Sequence, residues 1–359
     1  MIALSYFPWP DKKNDNPNKF ICILGLICAV RPTGAVPWLP LCLHHIKTSD
    51  ESLLKLLINR YLRIGLTMFI ITIMIDSYSH GSFVVSSYEF LKVNFLQNIS
   101  VTYGSHPWYW YLSSGIPAVL GVNFMPFILA AFYILKHRFV FPNELILLIS
   151  IVFTTAMYSY LPHKEFRFIL PILPMALHII SIYLARWSSK ADTLYVWIVA
   201  GVILVGNMLP AYYLSFYHQR GSLDVMNDLH EIANNNPKNA SFLFLMPCHS
   251  TPLYSHIHVN VSTRYLTCLP NLSNIENYKD EADTFYENPA KWLKAHYPVT
   301  AILPSHIIAF DVLQAFITDI LTRYRPIKEV FHTNINSDRR VGHNIIVYEL
   351  VKLNNREIS

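Results

Sequence analysis

The chain has 359 residues, of which 53% are hydrophobic and 14% charged, and its formal net charge is +5. Soluble domains carry about 25% charged residues, so this composition describes a membrane protein with one polar part. The positive excess is small and scattered, which excludes the basic stripe of a nucleic-acid-binding protein.

The opening residues, MIALSYFPWP, are apolar but have no basic n-region and no small-residue cleavage site. They read as the end of a helix rather than as a signal peptide. Residues 20–43 form an apolar stretch broken at Arg31-Pro32, with Pro37 and Pro40 beyond. Basic residues flank it on both sides, Lys12, Lys13 and Lys19 before and Lys47 after. A single crossing would put one flank on the wrong side, so a broken hairpin tipped by Arg31-Pro32 is expected. Non-helical backbone at membrane depth is tolerated only against protein or water. Arg31 is therefore a candidate cavity-lining residue, or an arginine snorkelling to an interface.

Five further runs reach the roughly 20 residues that a span requires: 61–78, 116–135, 145–161, 168–185 and 194–216. Three basic clusters alternate with them: Lys47, Lys55, Arg60 and Arg63; Lys136, His137 and Arg138; Arg186 and Lys190. Placing all three in the cytosol, as the positive-inside rule directs, makes 79–115, the loop 162–167 and everything after Phe216 lumenal. Four N-glycosylation sequons, at Asn98, Asn239, Asn260 and Asn271, fall on that side.

Asp76 closes the first of these spans at its lumenal edge, either as a helix-end charge or as a base. Residues 103–115, YGSHPWYWYLSSG, crowd aromatic rings at a lumenal boundary. They read as an interfacial aromatic belt or as a platform whose rings stack on sugar C–H faces while polar tips reach hydroxyls. His106, Trp108 and Trp110 join Arg31 as candidate substrate-cavity residues.

Residues 162–167, PHKEFR, gather four ionisable side chains between two apolar runs. A short lumenal hairpin cannot move them far from the membrane boundary, and Lys164 and Arg167 oppose the positive-inside bias. A helix starting near Lys164 would set Lys164 and Arg167 on one face, where their donors suit a phosphate. Glu165 could orient either cation, and His163 could donate to the anion. A solvated turn with an internal salt bridge is the alternative.

From about Gly221 the texture changes. GSLDVMNDLHEIANNN reads as a capped amphipathic helix, and SFLFLMP, TAILPS and HNIIVYEL as buried strands. IIAFDVLQAFITDILTRY reads as a second helix, and KDEADTFYENP as an acidic surface turn. These elements suggest a small α/β domain. The expected organisation is a bundle over 1–217 and a lumenal α/β domain over 218–359. Cys248 and Cys268 could pair if that domain is lumenal, whereas Cys22, Cys28 and Cys42 lie in an apolar stretch. The sequence has no CxxC spacing, HExxH, GxSxG or glycine-rich phosphate loop, and no cofactor or metal is implied.

HKEFRF closely resembles the HKE-x-RF signature of the dolichol-phosphate-mannose-using mannosyltransferases of glycosyltransferase family 22. RPTGAVPWLPL (31–41), FLKVNFLQNISVTYGSHPWYWYLSSGIPAVLG (90–121), LMPCHSTPLYSHIH (245–258) and DEADTFYENPAKWL (280–293) extend the resemblance over nearly the whole chain. Together they are most similar to members acting on glycosylphosphatidylinositol (GPI) precursors. The resemblance implies a multi-pass α-helical membrane protein of GT-C-like fold in the endoplasmic reticulum. It implies a dolichyl-phosphate-mannose donor, a GPI glycolipid acceptor and transfer, with inversion, of a third, α1,2-linked mannose. The donor phosphate would lie near His163, Lys164, Glu165 and Arg167. The family's proposed catalytic acids sit in a first lumenal loop, which would fall upstream of Met1, so no catalytic residue is assigned here. Two alternatives stay open: a sister enzyme of the N-glycan pathway, and an inactive truncated form acting as a membrane scaffold. A transporter would show paired repeats of spans, and none is visible.

Overall fold

The computed structural model of the protein describes residues 2–10, 17–96, 99, 101, 104–271, 275, 277–298, 300–335 and 338–351. Lys12, Lys13 and the sequon asparagine Asn98 lie outside the described residues. The chain divides into two compact units, Met1–Asn207 and Met208–Ser359. The division falls inside a long helix rather than at its end.

The first unit is helical. Helix α1 (Pro17–Val30) stops at Arg31, whose extended backbone leads into a 3₁₀ turn over Pro32–Trp38. The proline has no N–H to continue the ladder. Helix α2 (Leu39–Thr48) follows. The break expected at Arg31-Pro32 is therefore present, and the turn doubles back so closely that a Cβ on Gly34 would lie 2.7 Å from the Ile27 side chain.

Among the described residues, five helical stretches are long and apolar enough to cross a membrane, and they coincide with the runs read from sequence. They are α3 (Leu53–His80), α4 (Tyr111–Lys136), α5 (Pro142–Tyr160), α6 (Phe166–Ser188) and the stretch opening with α7 (Thr193–Phe216). The multi-pass helical membrane architecture follows from these spans. Helix α5 is the most enclosed. It buries Ile146, Leu147 and Ile151 together with Ser150, Thr154 and Thr155, whose hydroxyls donate to carbonyls one turn back. That back-bonding lets small polar groups sit in an apolar core without orphaned donors. Helix α6 opens with two irregular turns around Pro171 and Pro174, the usual cause of a helix distortion.

The second unit is a five-stranded mixed sheet of order β2-β1-β3-β5-β4. Its strands are β1 (Ser241–Leu245), β2 (Ser262–Tyr265), β3 (His306–Phe310), β4 (Tyr324–Phe331) and β5 (Asn344–Leu350). β1 runs parallel to both β2 and β3, while β5 is antiparallel to β3 and β4. Helix α8 (Gly221–Asn235) covers one face, packing Val225, Met226 and Leu229 on Phe242, Phe244, Ile308 and Val347. Helices α9 (Glu281–Glu287) and α10 (Pro289–His296) lie on the other, where Phe285 and Trp292 meet Leu243, Leu245, Ile307 and Ala309.

Four sequence expectations are corrected here. HIIAF is strand β3, followed by a 3₁₀ turn (Asp311–Phe316), not the start of a helix. All five of its residues are buried. A strand enclosed on both faces has no alternation, and a short apolar run cannot be told from a helix by period alone. TAILPS forms no strand and only leads into β3. Helix α8 has no side-chain cap; its first residue is glycine because a Cβ at Gly221 would lie 2.6 Å from the Phe331 carbonyl oxygen. KDEADTFYENP is not a surface turn. Asp280 caps α9 by accepting from the Asp283 N–H at 2.6 Å, and Asn288 caps α10 by accepting from Lys291 at 3.0 Å. Cys248 and Cys268 form a disulfide that joins the loops after β1 and β2.

Glu281 ties α9 to β2. Its carboxylate accepts from the Thr267 N–H at 2.9 Å and the Thr267 hydroxyl at 2.7 Å, and it pairs with Arg264. Burial pushes its pKa up, but the bonds from Arg264 and Thr267 outweigh this and hold it below the usual carboxylate value. A carboxyl depressed in the folded state contributes stability above its unfolded pKa and loses it as pH falls through the folded one. Glu281→Gln should therefore cost about 1–3 kcal/mol at pH 7. The difference from the native chain should close below about pH 4. Thermal melts of both chains across that range test it, and a gap independent of pH would refute it.

Candidate functional site

A pocket of about 950 Å³ opens in the first unit where α5 meets α6, at the upper end of the range for small-ligand sites. The junction itself, Leu161–Glu165, lines it, together with Arg31, Thr33, Asn94, His106, Tyr158 and Arg167. The chain cannot continue α5 through Pro162, and Glu165 has extended backbone before α6 begins at Phe166. His163, Lys164 and Glu165 thus sit on a strap, and Arg167 lies in the first turn of α6. This corrects the expected shared helical face of Lys164 and Arg167.

The strap is bound to the segment preceding α4. The His106 N–H donates to the Pro162 carbonyl at 3.0 Å. The Lys164 ammonium donates to the carbonyls of His106, at 2.9 Å, and Leu161. The Tyr111 hydroxyl donates to the Glu165 carbonyl at 3.1 Å and accepts from the Glu165 N–H at 3.2 Å. Lys164 is only 3% exposed, and burial pushes its pKa below the usual lysine value. A charged group so enclosed needs acceptors on its donors, and the two carbonyls supply them.

The remaining groups form a chain of charge. His163 contacts the Gly104 carbonyl through Nδ1 at 2.9 Å and the Glu165 carboxylate through Nε2 at 2.8 Å. Arg167 pairs with the same carboxylate, Nη2 to Oε1 at 2.6 Å. Burial raises the Glu165 pKa, but the bonds from His163 and Arg167 and the Arg167 charge leave it below the usual carboxylate value. Arg31 donates to the Thr33 hydroxyl at 3.0 Å, and the Tyr158 hydroxyl holds the Thr33 carbonyl at 2.9 Å. The guanidiniums of Arg31 and Arg167 lie 5.2 and 5.8 Å from the centre of the same Phe168 ring. The pocket lining therefore brings together two guanidiniums, an ammonium and an imidazole, with His163 and Arg167 on the one carboxylate, and suits an anionic ligand.

Of the residues singled out in the sequence, Arg31, His106, His163, Lys164, Glu165 and Arg167 line this pocket. Trp108 and Trp110 do not. Trp110 is stacked on His106 and packed against Phe166, while Trp108 is 68% exposed. Asp76 lies within α3 and is also absent from the lining. Sequence reasoning gave no role to Thr33, Asn94, Tyr158 and Phe168; the first two and Phe168 lie in stretches that carry the family resemblance, Tyr158 in none, and only the packing brings the four together. Among the described residues, one group of His, Cys and carboxylates is close enough to share a metal: Cys248, His249 and Cys268. Its two sulfurs are joined in the disulfide and offer no thiolate.

Comparison with known proteins places this geometry in context. The Alg9-like mannosyltransferase family matches residues 1–258. The chain is 46% identical over 341 residues to GPI mannosyltransferase 3 of Drosophila melanogaster, covering 93% of this chain and 60% of that protein. It is 39% identical to GPI alpha-1,2-mannosyltransferase 3 of Danio rerio (97% of this chain, 63% of the relative). The human protein of that name is 36% identical, with 97% and 61% covered. The chain thus spans about three-fifths of the length of the curated relatives it matches. No solved structure matches.

The strap geometry gives Lys164 a structural task. Lys164→Met removes its donors and leaves the His106 and Leu161 carbonyls unsatisfied, a loss of about 1–3 kcal/mol. The detergent-solubilised variant should melt several degrees below the native chain while retaining its helical circular dichroism when cold. An unchanged melting temperature would show that the ammonium does not hold the strap.

Proposed function

This chain belongs to the Alg9-like mannosyltransferase family, and from that premise we propose that it carries the donor-phosphate pocket of a mannosyltransferase. The reaction is transfer of an α1,2-linked third mannose from dolichyl-phosphate-mannose to a GPI glycolipid in the endoplasmic reticulum lumen. The names of these relatives support the GPI acceptor over an N-glycan one. The observation that carries the reading is the convergence of Arg31 and Arg167 in a large pocket of a membrane-spanning unit. A cationic pocket at the end of membrane-spanning helices suits a ligand that is part isoprenoid and part phosphodiester.

In such a transfer the acceptor hydroxyl forms a bond to the anomeric carbon as the bond to the phosphate oxygen breaks. Negative charge grows on the departing phosphate, and donors fixed beforehand at that place lower the barrier. Arg167 commits part of its guanidinium fork to Glu165 and is 64% exposed in its side chain, so further N–H donors face the pocket mouth. We assign the direct phosphate contacts to Arg167 and Arg31; His163, whose two ring nitrogens are taken by Gly104 and Glu165, adds to the cationic surroundings. Lys164 adds positive potential and holds the strap. Glu165 orients the cations, and its depressed pKa makes it a poor base. No catalytic base is assigned.

The lumenal orientation of the α/β unit has two supports. Its disulfide belongs to an oxidising compartment, and the sequon asparagines Asn239 and Asn260 are exposed.

Arg167→Ala should reduce mannose transfer in microsomes about ten- to a hundredfold, the worth of a charge-assisted hydrogen bond or two. Arg167→Lys should recover only part of it, because a point charge lacks the planar fork. Unchanged donor KM and rate would remove the assignment. Endoglycosidase treatment of the membrane-expressed chain should lower its mass, and Asn239→Gln with Asn260→Gln should diminish that shift. A chain whose mass does not move would overturn the orientation.

A further inference from the structure

The chain passes from α7 to α8 through a tight joint. Past α7, Tyr217 and His218 lead to Gln219, whose φ of 59° is left-handed, a conformation that a residue with a side chain keeps only where its surroundings hold it. The chain between β4 and β5 does the holding. The Gln219 N–H donates to the His332 carbonyl at 2.9 Å, and the His332 N–H donates in turn to the His343 carbonyl at 2.7 Å. Helix α8 closes the joint from a third side, so tightly that a Cβ on Gly221 would lie 3.0 Å from the His332 Cα.

Three imidazoles meet there, and they differ in what a proton would find. His218 Nδ1 lies 2.8 Å from the Thr333 hydroxyl, which can donate to a neutral ring or accept from a charged one. The exposed His343 contacts the Thr333 carbonyl through Nδ1 at 2.8 Å, an acceptor that also suits a charged ring. His332 is different. It is 4% exposed, its ring centre lies 5.1 Å from that of Phe310, and its Nδ1 is enclosed with no hydrogen-bond partner among the described residues. A proton placed there would have no acceptor, and an unpaired buried charge is costly. The carboxylates of the surrounding elements are engaged elsewhere. After β3, Asp311 accepts from the N–H groups of Val312, His343 and Asn344. In α8, Asp224 pairs with Arg220 and Asp228 with Lys328 of β4, each at 3.0 Å. Glu329 of β4 accepts from the Asn344 amide at 2.7 Å. At the end of α7, the Tyr213 hydroxyl accepts from the Asn334 N–H. The other cations before β5, exposed Arg339 and Asp283-paired Arg340, would only oppose a further positive charge. Burial pushes the His332 pKa below the usual histidine value, and His218 adds to the effect.

We propose that this joint is a proton-operated latch: neutral His332 lets the α7–α8 turn stay bound to the β4–β5 connection, and protonation of His332 releases the two from each other. A histidine whose pKa is depressed in the closed form takes up a proton on opening. The latch is therefore closed above the ordinary histidine value of about 6.5 and loosens as pH falls below it. From there the ratio of closed to open forms falls about tenfold per pH unit until the closed-form pKa is reached. The latch does not depend on the mannosyl-transfer reading.

Hydrogen–deuterium exchange of the full detergent-solubilised chain at pH 7.5 and 5.5, corrected for the intrinsic rate, tests it. Peptides holding the Gln219 and His332 amides should lose protection in acid, by up to about tenfold, while β1 and β3 keep theirs. His332→Leu and His332→Gln cannot take up the proton and should remove the difference between the two pH values. His218→Gln and His343→Gln should retain it, which tests the assignment even where a His332 variant does not fold. The proposal is overturned if protection at the joint is equal at both pH values, or if the acid loss persists in a folded His332 variant. It is likewise overturned if the loss vanishes in either of the other histidine variants, or if β1 and β3 open to the same extent.

Discussion

Lys164 sits at a point where the membrane unit cannot be made of helix alone. Two spans must be joined, a proline interrupts the join, and the backbone carbonyls released there lie beside a buried wall of α4. An ammonium that is 3% exposed and donates to the carbonyls of His106 and Leu161 satisfies both problems at once. It gives the freed carbonyls a donor, and the carbonyls give the buried charge its acceptors. The Tyr111 hydroxyl repeats the device on the backbone of Glu165. With the strap held at both points, His163, Glu165 and Arg167 are presented to the pocket in fixed positions.

This division of labour separates residues of similar charge. Lys164 is turned inward and serves the backbone. Arg167 and Arg31 retain donors for a ligand, and the Phe168 ring they share lies beneath both. Arg is suited to that role because its planar fork can bond a carboxylate on one edge and still present N–H groups on another. Pre-organisation of this kind is what stabilisation of a departing phosphate requires, since donors already in place need no reorganisation at the moment of transfer.

In the second unit the organising constraint is different. The sheet is covered on both faces, so β1 and β3 are apolar beyond their first residues, Ser241 and His306, and neither of those is exposed. Polar chemistry is displaced to the edges, where the loops after the parallel strands meet α9. There Glu281 fastens the helix to β2, and a cleft walled by Asp283, Tyr286 and Arg340 forms beside it.

The sequence by itself determined the spans, because a bilayer demands long apolar runs and reads little else. It also marked the helix break at Arg31-Pro32 and singled out HKEFRF as a polar cluster out of place. Both are local facts, a missing N–H and a breach of charge bias. Only the tertiary structure decided what each of those charges does. The inward turn of Lys164 depends on carbonyls from residue 106, 58 positions away, and no periodicity reports a partner at that distance. For the same reason Trp108 and Trp110, conspicuous as a sugar platform in sequence, lie outside the pocket, while Tyr158, which carries no motif, lines it. The strand HIIAF was hidden likewise: burial on both faces erases alternation, and only the neighbours it pairs with declare it a strand.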